Sequence, residues 1–333
     1  MEEKDTANDP KRAKIWLTKG IALYELNRTK EALKYFFKAT AKDPQNVEAW
    51  VYKGLALYEL NRSEEALKNF DWAIAIDPKN ANAWLSKGIV LYELDKTKDA
   101  LKCFYKAIAY NPKNADAWIY KGIALNELNR SEEALESFDR AIKIDRKNTE
   151  ARFQKGVALY KLGCLKEALK IFNRHIETEP NDTEVWFYKG LTFYEKGGMK
   201  RALDSFDRVL LINPKHTYAL LNKGVVFGKM DRIMDELECY NRVIAIEPNN
   251  AKAWFNKGLT LGKLNLYQEA IKCFEMVIAI DPNDAKAWLN KGVLLSKLSR
   301  TKDAIKCLKK AKSIDPTLIL PVIYYKKLPI RFE

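Results

Sequence analysis

The sequence has little of what metal sites and catalytic centres are usually built from. Its 333 residues include only two histidines, His175 and His216, and five cysteines that form no CxxC pair. A zinc site needs clustered Cys and His side chains, so this class of site is not expected. An odd number of scattered cysteines instead predicts free thiols in a reducing compartment. We expect His175 to be a packing substitution rather than a ligand or a base.

Sequence signatures of nucleotide binding and hydrolysis are missing as well. There is no Walker A loop, no GxGxxG after a strand, no GxSxG and no HExxH. The carboxylates are spread along the chain, and no pair is set apart in a way that would separate the two pKa values. We therefore predict that the protein is not an enzyme and needs no cofactor.

Long apolar runs are also absent. No stretch of 18 apolar residues occurs, which argues against a transmembrane helix. The residues from Met1 to Asp5 are mostly charged and no apolar segment follows them, so a signal peptide is not expected. These two absences predict a cytoplasmic protein without a membrane partner.

What the sequence has in abundance is a pattern of 34 residues. Counted from Ala13, nine copies follow without a gap and end at Leu318. Position 8 is glycine in every copy, position 20 is alanine in all but one, and position 24 is aromatic in all but the last. A period of this length predicts one array of stacked repeats instead of two globular domains. The repeats begin at Ala13, Val47, Ala81, Ala115, Thr149, Thr183, Thr217, Ala251 and Ala285.

Each repeat has two apolar stripes with helical spacing. In repeat three, Trp84 and Leu91 belong to the first stripe, and Leu101 and Phe104 belong to the second. A polar turn separates them, and Thr97 after this turn is the expected N-cap of the second helix. Proline at position 32 ends that helix. The small residues at positions 8 and 20 should let the two helices approach closely.

This pattern resembles the tetratricopeptide repeat family, which has Trp at position 4, Gly at 8, Ala at 20, an aromatic residue at 24, Ala at 27 and Pro at 32. The resemblance covers residues 13–318. It implies an all-α fold, a right-handed α-solenoid (superhelix) of antiparallel helix pairs. Residues 1–12 are then an N-terminal segment and residues 319–333 a C-terminal cap or tail. The resemblance also implies a concave groove, lined by the first helices, that binds extended peptides or partner helices.

The groove predicted in this way changes chemistry along the chain. Positions 2, 6 and 13 share one face of the first helix, and position 12 adjoins them. Repeats one to six carry tyrosines and acids there. The residues predicted to contact a ligand are Tyr52, Tyr120, Tyr188, Tyr58, Tyr92, Glu59 and Glu93. Repeats seven to nine carry amides and lysines, and the predicted ligand residues are Asn222, Asn256, Asn290, Lys229, Lys263, Lys297, Lys252, Lys286 and Tyr218. The alternative is a solvated face whose charges drifted during repeat duplication.

The function predicted from these features is that of a protein–protein interaction scaffold without catalysis. Two alternatives stay open. The net charge of +14 and the lysine at position 7 of every repeat, from Lys19 to Lys291, could serve a nucleic-acid-binding solenoid. The chain could also be the regulatory module of a separate enzyme. Residues 319–333, apolar and then basic, are expected to form a short capping helix from near Pro321, or to dock on another molecule, including a second copy.

Repeat seven departs most from the pattern, because Glu236 stands at the alanine position. A carboxylate there must either be buried without a partner, which is costly, or push the two helices apart. We therefore expect a local weak point and a gain of stability in Glu236→Ala.

Overall fold

The computed structural model describes residues 9–320 of the chain. This range forms eighteen α-helices and no strand, so the expected all-α fold of helix pairs is confirmed. The first helices of the repeats are α1 (Pro10–Glu25), α3 (Val47–Glu59), α5 (Ala81–Glu93), α7 (Ala115–Glu127), α9 (Thr149–Lys161), α11 (Thr183–Glu195), α13 (Thr217–Lys229), α15 (Ala251–Lys263) and α17 (Ala285–Lys297). The second helices are α2 (Thr29–Lys42), α4 (Ser63–Ile76), α6 (Thr97–Tyr110), α8 (Ser131–Ile144), α10 (Leu165–Thr178), α12 (Met199–Ile212), α14 (Ile233–Ile246), α16 (Tyr267–Ile280) and α18 (Thr301–Ile314).

Packing divides the chain into two compact units. Of the described residues, 9–175 form the N-terminal unit and 176–320 form the C-terminal unit. The boundary lies within α10, in repeat five. Repeats one to four thus belong to the first unit, and repeats six to nine belong to the second.

Side-chain caps fix the start of most first helices. Asp9 caps α1, with Pro10 as its first residue. In later repeats the cap is the last residue of the preceding repeat. Asn80, for example, accepts a hydrogen bond from the Ala83 N–H at 2.9 Å. Such a bond satisfies one of the backbone donors that a helix start leaves unpaired.

The second helices begin differently, and the expected threonine N-cap is wrong. Thr97 is the first residue of α6, and its preceding residue, Lys96, makes no side-chain cap bond. The turn is closed by backbone instead, because the Lys96 N–H donates to the Leu91 carbonyl at 2.9 Å. This bond requires one residue with left-handed backbone conformation between the helices. Asp95 has that conformation, with φ of 57°. The residues with positive φ at this position are Asn27, Asn61, Asp95, Asn129, Gly163, Gly197, Asp231, Asn265 and Ser299.

Glycine at position 8 allows the two helices of a repeat to touch, as expected. A Cβ atom on Gly88 would lie 2.5 Å from Cε1 of Phe104, closer than real carbon atoms pack. Phe104 is fully buried, and the same contact recurs between Gly54 and the buried Phe70. These phenylalanines form the centre of each repeat, so the first helices are held at a fixed distance from the second.

The chain's end is only partly described. Leu320 is buried, Ile319 is exposed, and the Lys312 ammonium donates to the Leu318 carbonyl at 2.9 Å. The capping helix expected from near Pro321 lies outside the described residues. Within residues 9–320, no helix combines the length and the apolar character needed to cross a bilayer.

His216 gives one cap a pH dependence. Its Nδ1 accepts from the Ala219 N–H at 3.1 Å, where other repeats use Asn or Asp, and burial lowers the pKa of His216 below its usual 6.5. The neutral ring makes the cap, so its contribution is complete above about pH 6.5 and is lost as the pH falls through the lowered pKa.

We expect the cap to contribute about 0.5–2 kcal/mol. The variant His216→Asn should keep its cap at low pH. The measurement is the free energy of unfolding at about pH 7.5 and about pH 5.5. Wild type should lose more stability between the two values than the variant does, and equal losses would contradict the assignment.

Candidate functional site

The first helices of repeats two and three enclose a cleft in the N-terminal unit. Its volume is about 410 Å³, and it lies between α3 and α5. Its lining residues are Glu48, Val51, Tyr52, Leu55, Asn80, Asn82, Leu85 and Ser86. Positions 2 and 6 of both repeats are among them, so these positions share an open surface here.

The tyrosines at position 6 are partly structural. Tyr52 stacks on Phe36 of the preceding repeat with 5.8 Å between ring centroids, and Tyr120 stacks on Phe104 at the same distance. Both side chains are half-buried, and burial raises the pKa of each hydroxyl. One ring face is therefore already occupied, and the remaining edge and hydroxyl are what a ligand could reach.

Tyrosine at position 12 and glutamate at position 13 of the next repeat form hydrogen-bonded pairs. Tyr24 donates to Glu59, whose other oxygen accepts from Thr29 Oγ1 at 2.8 Å. Tyr58 pairs with Glu93 in the same way. Burial, followed by a hydrogen bond from Tyr92 to Glu127, raises the pKa of Tyr92 to about 12. The structure thus joins Tyr58 and Glu93 into one inter-repeat bridge, so these acids are already partnered.

Lysines on the first helices of the C-terminal unit have a different environment. Lys229, Lys263 and Lys297 occupy position 13 and are exposed, as are Lys252 and Lys286 at position 2. Among the described residues, none of these five ammonium groups has an ion pair, although that of Lys297 lies over the Tyr267 ring at 5.2 Å. At position 12 of the preceding repeat, Lys263 has Gly228 and Lys297 has Gly262 in place of a tyrosine, whereas Lys229 follows Tyr194.

The asparagines at position 6 lie beside these lysines and are half-buried. The Asn222 amide donates to the Tyr218 carbonyl at 2.8 Å, and the Asn290 amide donates to the Lys286 carbonyl at 2.8 Å. These bonds within α13 and α17 fix the side chains and leave each amide oxygen as an acceptor. Tyr218 is 65% exposed.

Glu236 is buried, but it is not without partners, so the expected isolated carboxylate is wrong. Its Oε1 accepts from Thr260 Oγ1 at 2.8 Å and from the Tyr240 hydroxyl at 3.2 Å. The helices make room for it because Gly228 stands opposite. One signal was readable in the sequence: Tyr240 replaces the usual phenylalanine and lies four residues after Glu236, one helical turn away.

The ammonium groups of the lysines at position 7 are already engaged in contacts between and within repeats. In four repeats the ammonium pairs with an acid on the preceding second helix, as between Lys155 and Asp139 at 2.6 Å. Elsewhere it lies over aromatic rings, as Lys189 does over Trp186 at 4.4 Å from the ring centroid. The four ion-paired lysines are Lys87, Lys155, Lys223 and Lys291. The stripe is therefore not a row of free cations.

Most of the cysteines and His175 sit in packed positions, although Cys164 is exposed and the ligand atoms of His175, Glu179 and Asp182 lie within 4.8 Å of one another. All five cysteines are free, as predicted, and four of them are buried. Burial raises the pKa of the Cys103 and Cys239 thiols to about 11, which keeps both from acting as thiolate nucleophiles at neutral pH. The His175 ring is buried and packs edge-on against Phe153, with 6.0 Å between centroids.

Comparison with known proteins agrees with this architecture. Three family models, each described as "Tetratricopeptide repeat", match the chain. The matched residues are 17–81, 53–102 and 85–151 for the first, 125–187 for the second, and 251–284 and 285–318 for the third. A search of curated proteins found no match.

Solved structures of similar fold are tetratricopeptide repeat proteins or assemblies. A tetratricopeptide repeat protein from Parabacteroides merdae is 18% identical, with 75% of this chain and 99% of that chain covered and a TM-score of 0.60. A chain of the APC/C hetero-tetramer Cut9–Hcn1 is 20% identical, with 84% and 55% covered and a TM-score of 0.61. YrrB, described as having an unusual peptide-binding site, is 30% identical, with 56% and 97% covered and a TM-score of 0.49.

Proposed function

The chain belongs to the tetratricopeptide repeat family, whose members bind protein partners, and we propose that this member binds an extended peptide or partner helix without catalysing a reaction. The binding surface is the face formed by positions 2, 6, 12 and 13 of the first helices. In the C-terminal unit this face takes a segment rich in acidic groups.

One observation carries the proposal. Lys229 and Lys263 are exposed on successive first helices with no ion pair among the described residues, and half-buried asparagines lie beside them. Exposed charges on a scaffold without function are usually interspersed with charges of opposite sign, whereas positions 2 and 13 of α15 and α17 carry only lysine. Acidic side chains of a ligand would pair with these lysines, and its backbone N–H groups would donate to the amide oxygens.

The N-terminal unit suits a different part of a ligand. Glu59, Glu93 and Glu127 at position 13 are engaged by tyrosines, so the open features are the cleft between α3 and α5 and the exposed edges of Tyr52 and Tyr120. Tyrosine edges and apolar lining suit apolar or basic side chains. Nucleic acid is not proposed as the partner, because the position 7 lysines that suggested it are held by acids and aromatic rings.

The test compares three triple variants. Circular dichroism first verifies that each variant is folded. The first is Asn222/Asn256/Asn290→Ala and the second is Lys229/Lys263/Lys297→Glu. The third, Lys272/Lys302/Lys306→Glu, makes the same charge change on exposed lysines of α16 and α18 and serves as the control. Partners captured by the intact chain are identified by mass spectrometry, and their affinity is measured at low and high salt.

We expect the lysine variant to weaken binding about tenfold at low salt and to remove most of its salt dependence. The asparagine variant should mainly speed dissociation, and the control should bind as wild type does. If both test variants bind the partner as tightly as wild type, the first-helix face is not the binding surface.

A further inference from the structure

A small pocket opens between α13 and α15, directly over Glu236. Its volume is about 200 Å³. The residues that line this Glu236 pocket are Val225, Gly228, Lys229, Glu236, Tyr240, Asn256, Leu259, Thr260 and Lys263. It thus combines a carboxylate from the second helix of repeat seven with the lysines and the asparagine of the face proposed above.

The pocket depends on three substitutions that occur together. Gly228 stands where most of repeats one to six have tyrosine, and a Cβ there would lie 2.7 Å from Glu236 Oε1. Tyr240 and Thr260 supply the hydroxyls that hold Oε1 at 3.2 and 2.8 Å. One oxygen is therefore fixed by the protein, and the space beside the carboxylate is kept open by the glycine.

The second oxygen has no partner within the described protein and faces the open pocket, where water can reach it. Glu236 is only 6% exposed, and its Oε2 accepts no hydrogen bond and has no ion pair from any described residue. A buried carboxylate is costly unless a donor or a cation meets it. Lys229 and Lys263 line the same pocket, but both are exposed and do not form an ion pair with Glu236.

We propose that the Glu236 pocket anchors one basic side chain, arginine or lysine, of the otherwise acidic segment that binds this face. The proposal rests on the proposed function and adds its specificity-determining contact. The cation neutralises Glu236 and donates to Oε2, while acidic neighbours in the ligand pair with Lys229 and Lys263 at the rim. A basic side chain without acidic neighbours would be repelled by those two lysines. The recognised feature is therefore a basic residue flanked by acidic residues.

The size of the pocket agrees with a side chain rather than a cofactor. Its volume of about 200 Å³ equals that of about seven water molecules in the liquid. Small-molecule sites usually have about 300–1,000 Å³. One extended side chain fills the smaller space and displaces the water that would otherwise solvate Oε2.

The experiment uses the full chain and two synthetic peptides. Both are runs of Asp and Glu with one different central residue, which is arginine in one peptide and its neutral isostere citrulline in the other. Their affinities are measured by fluorescence anisotropy at low salt. We expect the arginine peptide to bind at least about tenfold more tightly than the citrulline peptide.

Two variants test whether this difference in affinity between the two peptides arises at the Glu236 pocket. In Glu236→Gln, which keeps the shape and removes the charge, the preference for arginine should disappear. In Gly228→Ala, which fills the pocket, it should also disappear. In the matched control Glu238→Gln, which makes the same charge change at an exposed residue of α14 outside this surface, it should persist.

The outcomes separate this inference from the proposed function. If wild type binds both peptides equally and binding still depends on Lys229 and Lys263, the anchor is refuted and the acidic-segment surface stands. If neither peptide binds, both proposals fail. A preference for arginine that survives in Glu236→Gln and in Gly228→Ala would place the basic side chain elsewhere and overturn the anchor.

Discussion

Replacing Gly88 with alanine should destabilise the protein by up to about 2 kcal/mol, the packing cost of about 1–3 kcal/mol less a gain in helix propensity of about 1 kcal/mol. The added Cβ would lie 2.5 Å from Cε1 and 2.8 Å from Cδ1 of Phe104. Phe104 is fully buried and cannot swing out to solvent, so either the ring or the whole of α5 must move. Alanine stabilises a helix interior by about 1 kcal/mol relative to glycine. This gain offsets only part of the packing cost.

The matched control is Gly262→Ala, in the last turn of another first helix, α15. Its Cβ would make only an ordinary contact, so the propensity gain is not offset and stability should rise by up to about 1 kcal/mol. Urea unfolding followed by circular dichroism measures both changes. Hydrogen exchange of the backbone amides in α5 and α6 reports the local effect, because a repeat protein need not unfold in one step. Equal and positive effects at the two glycines would contradict the packing argument.

Replacing Tyr240 with phenylalanine should cost about 1–3 kcal/mol, although phenylalanine is what seven other repeats have at this position. The hydroxyl donates to the buried Glu236 carboxylate, and removing it leaves that acceptor with Thr260 alone. The same hydrogen bond, after burial and the Glu236 charge, raises the pKa of Tyr240 well above its usual range. The tyrosine and the glutamate therefore form a coupled pair.

A double-mutant cycle tests this coupling. In the Glu236→Ala background, Tyr240→Phe should cost little, so the two changes should couple by at least about 1 kcal/mol. The double variant restores the alanine and phenylalanine of the common repeat and should be the most stable of the three. The gain expected from Glu236→Ala thus belongs to the pair of changes, since alanine alone leaves the Tyr240 hydroxyl without its acceptor, whereas Thr260 can still donate to the Asn256 carbonyl at 3.0 Å. Additive effects of the two single changes would show that the hydroxyl contributes nothing to holding the carboxylate.

The sequence predicted those features that repeat with the period and act within one repeat. The glycine at position 8 and the phenylalanine at position 24 fall into this group, because their contact recurs in seven of the nine repeats, with Tyr240 and Leu308 in place of phenylalanine in the other two. Interactions between repeats were harder to foresee. The pairing of Tyr58 with Glu93 spans 35 residues and becomes visible only when adjacent first helices are set side by side.

The same limit explains the error at Glu236. Its neighbour Tyr240 is one turn away in the sequence, but Thr260 lies in the next repeat, 24 residues on. From the sequence alone, a single glutamate at a tightly packed position therefore looked destabilising. In the structure, Gly228 of α13, Tyr240 of α14 and Thr260 of α15 make it part of a pocket. The left-handed residue at position 15 was also missed, because Asn, Asp, Gly and Ser share no hydropathy pattern and are united only by their tolerance of positive φ.

The tyrosine–glutamate bridge has a consequence for how such a chain can grow. Because Tyr92 presents its hydroxyl to whatever occupies position 13 of the following repeat, a tandem duplicate of residues 81–114 would place Tyr92 against a second Glu93. The new junction would be identical in kind to the old one, so the gene segment can multiply there without any compensating mutation. The same segment inserted before repeat eight would bring Tyr92 to Lys263 and lose the acceptor. A repeat with tyrosine at position 12 therefore pairs with a copy of itself, whereas placed before a repeat with lysine at position 13 it leaves its hydroxyl without the carboxylate.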